Sequence, residues 1–139
     1  MVYMGMKHLS LRMIWITAVC CLMAACGPKP SNENGGDAFM SITAKEAKEI
    51  MELESNYVVL DVRTQEEYEE GHIAGAVLIP DYEIAERAEE RLTNKEQLIL
   101  VYCRSGRRSK SAAAELTAMG YKNIREFGGI LDWPYDIEK

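Results

Sequence analysis

Three short, wholly apolar runs, each bounded by polar segments with helical character, constrain this chain more than any other feature. They are Tyr57-Val58-Val59-Leu60, Ala76-Val77-Leu78-Ile79 and Leu98-Ile99-Leu100-Val101-Tyr102. A strand with one face in water alternates polar and apolar residues, whereas these do not alternate. They therefore read as strands buried on both faces, as in a parallel sheet covered by helices. The segments between them supply the cover. Thr43 with Glu46 three residues later forms a capping-box pattern, and Ala47, Ile50 and Met51 follow at helical spacing. Gln65 to Glu70 reads as a polar helical turn stopped by Gly71, and Tyr82 to Leu92 as a helix rich in Glu, Ala and Arg. Ser109 to Met119 places Ala112, Ala113, Leu116 and Met119 on one side of a helix closed by Gly120. Asn123 to Phe127 is a weaker strand. The expected architecture is α/β: a three-layer α/β/α arrangement around a mainly parallel central sheet of four to five strands. In such sheets ligands bind beyond the carboxyl ends of the strands, where Asp61 and Cys103 fall.

The first 38 residues read differently. Met1 to Arg12 carries Lys7 and Arg12 and no acid, Met13 to Ala25 is almost wholly apolar, and Ala24-Ala25 precede Cys26. A basic start, a short apolar core and a small-residue site describe a secretory signal peptide over residues 1–25. The apolar run is shorter than the roughly 18 residues of a membrane span. Leu22-Met23-Ala24-Ala25-Cys26 resembles the lipobox of bacterial lipoproteins. That resemblance implies lipidation of Cys26 and an extracytoplasmic domain anchored to a bacterial membrane, with plain secretion as the alternative. Residues 26–38, with the Pro-, Gly- and Asn-rich stretch Gly27 to Asp37, form a solvated tether, and residues 39–139 form the folded domain.

Charge narrows the function. The chain carries 16 basic and 22 acidic residues, net −6, with a pI near 5.0. Loss of Lys7 and Arg12 with the signal would take the mature charge to −8. This balance argues against a nucleic-acid partner. The acidic runs, Glu66 to Glu70 and the Glu83, Glu86, Glu89, Glu90 series, read as solvated helix faces. Of the four cysteines, Cys20 and Cys21 leave with the signal and Cys26 is consumed by lipid, so Cys103 has no disulfide partner. With histidines only at positions 8 and 72, no metal ligand set is available.

Cys103 stands where a strand gives way to a short loop and a helix, in Cys103-Arg104-Ser105-Gly106-Arg107-Arg108-Ser109-Lys110. Loop N–H groups and the helix's positive end favour thiolate, so the thiol should ionise below its ordinary value of roughly 8.5. Four cations at a helix N-terminus repel its dipole, which is poor design unless an anion binds there. The phosphate loop Gly-x-x-x-x-Gly-Lys-Ser/Thr is absent. Cysteine phosphatases place Arg six residues after the cysteine, whereas here that residue is Ser109 and Arg108 comes one place early.

This loop resembles the six-residue active loop of single-domain rhodaneses, here Cys103 to Arg108. Three more motifs match that family in order: Asp61-Val62-Arg63, Gly71-His72-Ile73-Ala74-Gly75-Ala76, and Gly128-Gly129 followed by Trp133. Ala74 replaces the family's usual proline, which touches local rigidity and not the chemistry. The resemblance implies a sulfurtransferase. Cys103 would attack the outer sulfur of a small anionic donor such as thiosulfate and carry it as a persulfide. It would then pass the sulfur to a thiophilic acceptor: cyanide, a small thiol or a protein thiol. The loop from Arg104 through Ser105, Gly106, Arg107 and Arg108 to Ser109 would bind the donor, with Arg107 and Arg108 on its anionic end. Arg104 is an alternative partner for Asp61. Asp61, Arg63 and His72 would be supports, Trp133 core, and no cofactor is implied. Gly128-Gly129 either lets the backbone pass near the loop or only turns the chain. Two other readings stand beside this one: a non-enzymatic sulfur carrier or protein-interaction module of the same fold, and, disfavoured by loop length, a cysteine phosphatase or arsenate reductase.

Overall fold

The computed structural model describes residues 39–139. The signal peptide, Cys26 and the tether expected from the sequence lie outside the described residues. The elements run β1 (Met40–Ser41), α1 (Ala44–Leu53), β2 (Tyr57–Asp61), α2 (Gln65–Glu70), β3 (Val77–Leu78), a 3-10 turn (Asp81–Glu83), α3 (Ile84–Arg91), β4 (Leu98–Cys103), α4 (Arg107–Ala118), β5 (Asn123–Gly129) and a second 3-10 turn (Ile130–Asp132). All five strands pair in parallel, in the order β1-β5-β4-β2-β3. The expected three-layer parallel α/β sheet is thus observed.

The side chains of the two central strands divide strictly between the faces. Leu60 and Val62, Ile99, Val101 and Cys103, and Ile124 pack with Ile84 and Ala88 of α3 and with Ala112, Ala113 and Leu116 of α4. Val59, Leu100 and Tyr102 pack on the other face with Ala47 of α1, Phe127 and Trp133. Trp133 is therefore core, as expected. Each fully buried Leu, Ile or Val contributes about 1.5–3 kcal/mol, so the two-sided apolar runs are what commits the chain to this layering.

Several boundaries differ from the sequence reading. The second apolar run pairs only over Val77–Leu78, and the helix expected from Tyr82 begins with a 3-10 turn before Ile84. The two-residue β1 was missed because it has no hydrophobic run of its own. More consequentially, α4 starts at Arg107, two residues before the expected Ser109. Its N-cap Gly106 has φ +95°, a left-handed conformation that glycine adopts without strain. The capping box at Thr43 forms as expected, with Glu46 bonded back to the Thr43 N–H at 2.7 Å.

Candidate active site

The sulfur lies at the end of β4, under the first turn of α4. Cys103 is 1% exposed and is a free cysteine. The Gly106 N–H donates to its Sγ at 3.1 Å, and the Ser109 Oγ lies 3.6 Å away. Burial is the strongest single influence on the thiol and pushes it up. The Ser109 hydroxyl, when its proton faces the sulfur, and the N–H groups of Ser109, Ser105 and Gly106 together outweigh burial, so the net shift is downward. The downward direction agrees with the loop pattern; the loop N–H groups belong to that expectation, and the Ser109 hydroxyl was not part of it.

The loop is held from beneath by β5. The β4–β5 register slips by one residue between Val101 and Cys103, bringing Gly129 opposite Cys103. Such a bulge re-aims a strand beside a site. A Cβ on Gly129 would stand 2.1 Å from the Arg104 carbonyl oxygen and 2.5 Å from the Ser105 nitrogen. The glycine pair thus permits a close backbone approach to the active loop.

The basic residues separate into two groups. Arg104, Arg107 and Lys110 are exposed and have no ion-pair partner among the described residues. Arg108 was expected to grip the donor, but it is committed elsewhere: its two terminal nitrogens meet both carboxylate oxygens of Glu67 at 2.8 Å. That pair holds the Glu67 carboxyl down to about 2, chiefly through the Arg108 hydrogen bonds, and raises Arg108 by the same bonds. The sequence reading placed Glu67 on a solvated face and missed it. Its position as the third residue of α2, bonded to Thr64, is what turns it inward.

Asp61 and Arg63 lie away from the loop. Asp61 faces the α1 side of the sheet with Tyr102, opposite Cys103. It accepts from Arg63 at 2.7 Å and from the Tyr102 hydroxyl at 2.5 Å, and Arg63 also donates to the Gly71 carbonyl at 2.8 Å. Burial and the Asp61 charge push the Tyr102 phenol strongly up. The alternative pairing of Arg104 with Asp61 does not occur, since Arg63 and Tyr102 already fill its acceptor sites. Asp61 and Arg63 touch the site only through the backbone, by fixing Tyr102 immediately before Cys103. His72 is not at the loop either. Its Nδ1 is 3.0 Å from the Tyr68 carbonyl oxygen, its ring stacks on Tyr68, and its backbone pairs with Glu138.

One residue at the site was not anticipated. Glu126 of β5 is 2% exposed and places Oε1 2.6 Å from the Ser109 Oγ. It also lines an open cavity of about 560 Å³ beside the loop, with Ser41, Ser105, Arg107 and Lys110. An acid within a strand pattern looks solvent-facing, and nothing local in the sequence distinguishes it.

Fold and site together define a class: five-stranded parallel α/β domains that hold a buried, thiolate-favouring cysteine on a backbone-lined loop at a helix N-terminus. The comparison with known proteins narrows it: the Rhodanese-like domain profile matches residues 43–134, and the chain belongs to that family. The thiosulfate sulfurtransferase PspE of Escherichia coli is 38% identical over 73 residues, covering 52% of this chain and 70% of PspE. Thiosulfate sulfurtransferase 18 of Arabidopsis thaliana is 34% identical over 116 residues, covering 74% and 84%. YrkF of Bacillus subtilis, named as a sulfur carrier, is 38% identical over 108 residues, and the chain spans only 57% of its length. Among solved structures, the Alr3790 protein from Anabaena superposes with a TM-score of 0.65 at 29% identity, covering 70% of this chain and 90% of that one.

Proposed function

We propose that this domain is a rhodanese-type sulfurtransferase that moves sulfane sulfur from thiosulfate or a similar anionic donor, through a persulfide on Cys103, to a thiophilic acceptor. The observation that carries this reading is the Gly106 N–H at 3.1 Å from a buried, unpaired Sγ at the start of α4. The Cys103 thiolate attacks the outer sulfur of thiosulfate. A new S–S bond forms, the donor's S–S bond breaks, and sulfite leaves with the electron pair. The persulfide anion then gives its outer sulfur to cyanide or a thiolate, and the Cys103 thiolate returns as leaving group. N–H groups of Ser105, Gly106 and Ser109 hold the negative sulfur in both states. Arg104 and Arg107, unpaired and exposed, draw the dianion in, while Arg108 shapes the loop through Glu67. Asp61, Arg63 and His72 act as distant supports.

The test is the intact mass of the 39–139 domain before and after thiosulfate, beside Cys103→Ser. One added sulfur on the parent alone, removed by cyanide, is the expected result. An intact fold with no adduct would sink thiosulfate as donor. Loading by a protein persulfide instead would favour the sulfur-carrier reading. We also propose that the domain works outside the cytoplasm, tethered to a membrane by lipid on Cys26. The support for this is the order of basic, apolar and small residues before that cysteine.

A further inference from the structure

Buried carboxylates ordinarily sit beside a cation. Glu126 does not: no ion pair involves it among the described residues. Its Oε1 accepts from Ser109 Oγ at 2.6 Å and from the Gly128 N–H at 2.8 Å, and its Oε2 from Ser41 Oγ at 3.2 Å. The same Ser109 oxygen is the one 3.6 Å from the Cys103 sulfur. Carboxylate and sulfur therefore flank a single hydroxyl, no more than about 6 Å apart.

A serine hydroxyl has one proton to give. The Gly106 and Gly128 carbonyls, at 3.0 and 3.3 Å, also lie within its reach, but a charged acceptor at 2.6 Å makes the stronger bond. With the proton turned to Glu126, Ser109 offers sulfur only lone pairs. Those suit the S–H of a thiol and repel a thiolate or a persulfide anion. The hydroxyl supports ionised sulfur only when it turns away from the carboxylate.

We propose that Glu126 is a positioning residue for Cys103: its carboxylate holds the Ser109 proton away from the sulfur and so restrains ionisation of the thiol that the loop N–H groups promote. The rest of the surroundings leaves this role to Glu126. On α4, Arg107 and Lys110 line the cavity but are exposed, and Arg108 is taken by Glu67. The other acid felt by Arg108, Asp81, follows β3. On β2, Asp61 is neutralised by Arg63 across the sheet. On β1, Ser41 is uncharged, and Arg125 alternates to the other side of β5. The inference rests on the proposed function only in taking Cys103 as the reacting sulfur.

The experiment is the pH dependence of Cys103 alkylation by iodoacetamide, which needs no sulfur donor. In Glu126→Gln the midpoint should fall by about one to two pH units, as removal of a like charge about 6 Å away implies at an effective dielectric near 20. Loss of a merely structural contact would misalign the loop and raise the midpoint. Ser109→Ala in the parent should move it by less than about half a unit, because the hydroxyl there points at Glu126. In the Glu126→Gln background the same change should raise it, because the hydroxyl has then turned to sulfur. An unchanged or raised midpoint in folded Glu126→Gln overturns the proposal. Were that variant not to fold, a rise of a full unit in Ser109→Ala alone would overturn it equally. A parent that shows these shifts yet takes no sulfur from thiosulfate would refute the proposed function and leave Glu126's role standing.

Discussion

Replacing Gly129 by alanine tests whether the β5 bulge positions the active loop. Gly129 has φ −134° and ψ 158°, extended values open to any residue, so backbone strain is not at issue. Space is. The added Cβ would stand 2.1 Å from the Arg104 oxygen, 2.4 Å from its carbonyl carbon and 2.5 Å from the Ser105 nitrogen. All three are backbone atoms, so no side chain can swing aside. Ordinary contact begins near 3.4 Å, and β5 and the loop must part by more than 1 Å. Overpacking of this kind costs about 1–3 kcal/mol, or roughly 4–8 °C in Tm per kcal/mol for a domain this size. The same displacement carries the Ser105 and Gly106 N–H groups off the sulfur, and a misplacement near 1 Å costs about 100-fold in rate. The assay is the rate of sulfur uptake by Cys103 from thiosulfate, per folded molecule, with the Tm measured alongside. Gly75→Ala is the control. Gly75 has φ +71° and nothing within 4 Å of a built Cβ, so alanine there brings strain of about 1–2 kcal/mol without touching the loop. Gly129→Ala should lose about 100-fold in rate and Gly75→Ala only stability. A parental rate in Gly129→Ala, or an equal loss in Gly75→Ala, would refute the reasoning.

The Glu67–Arg108 pair predicts an acid limb in the stability curve. Glu67 is held near 2 by Arg108, below its unfolded value, so its contribution is complete above about pH 4.5 and drains as pH falls through 2; Glu67→Gln should lower Tm at pH 7 and lose less Tm than the parent between pH 5 and 2. The proposed anchor predicts that Cys26→Ser moves the full chain from the membrane fraction to the soluble fraction of a bacterial host; retention in the membrane would rule out lipid on Cys26 as the tether.

How much was legible depends on whether a residue's meaning is local. The two-sided strands were readable because burial on both faces leaves no polar residue in Tyr57–Leu60 or Leu98–Tyr102. The Thr43 and Gly71 helix boundaries were readable because capping involves neighbours three residues away. The passage from strand into helix after Cys103 was readable because it too is local, although the helix begins at Arg107. Long-range partners were not. Glu67 and Arg108 are 41 residues apart, and Ser109 and Glu126 are 17 apart. Each looks like an ordinary surface charge or polar residue until the fold joins them. The early start of α4 escaped because Gly106 reads as a loop residue, whereas in its left-handed conformation it caps the helix.

The alternation of a β-strand explains why supports and chemistry do not mix. Consecutive residues point to opposite faces, so Tyr102 and Cys103 look out on different layers. Tyr102 is fastened by Asp61 at 2.5 Å and receives the Ile73 N–H at 3.1 Å, while Arg63 ties the same carboxylate to the Gly71 carbonyl. This buried network fixes the end of β4 without placing a charge on the sulfur's side of the sheet. On that side the loop N–H groups and Glu126 oppose each other through Ser109. A substitution in the Asp61 network should therefore act on stability, and one in the Glu126–Ser109 pair on the ionisation of Cys103. The two-faced strand keeps those effects separable, which is why the alkylation profile, rather than activity alone, distinguishes a residue that tunes the sulfur from one that merely holds it in place.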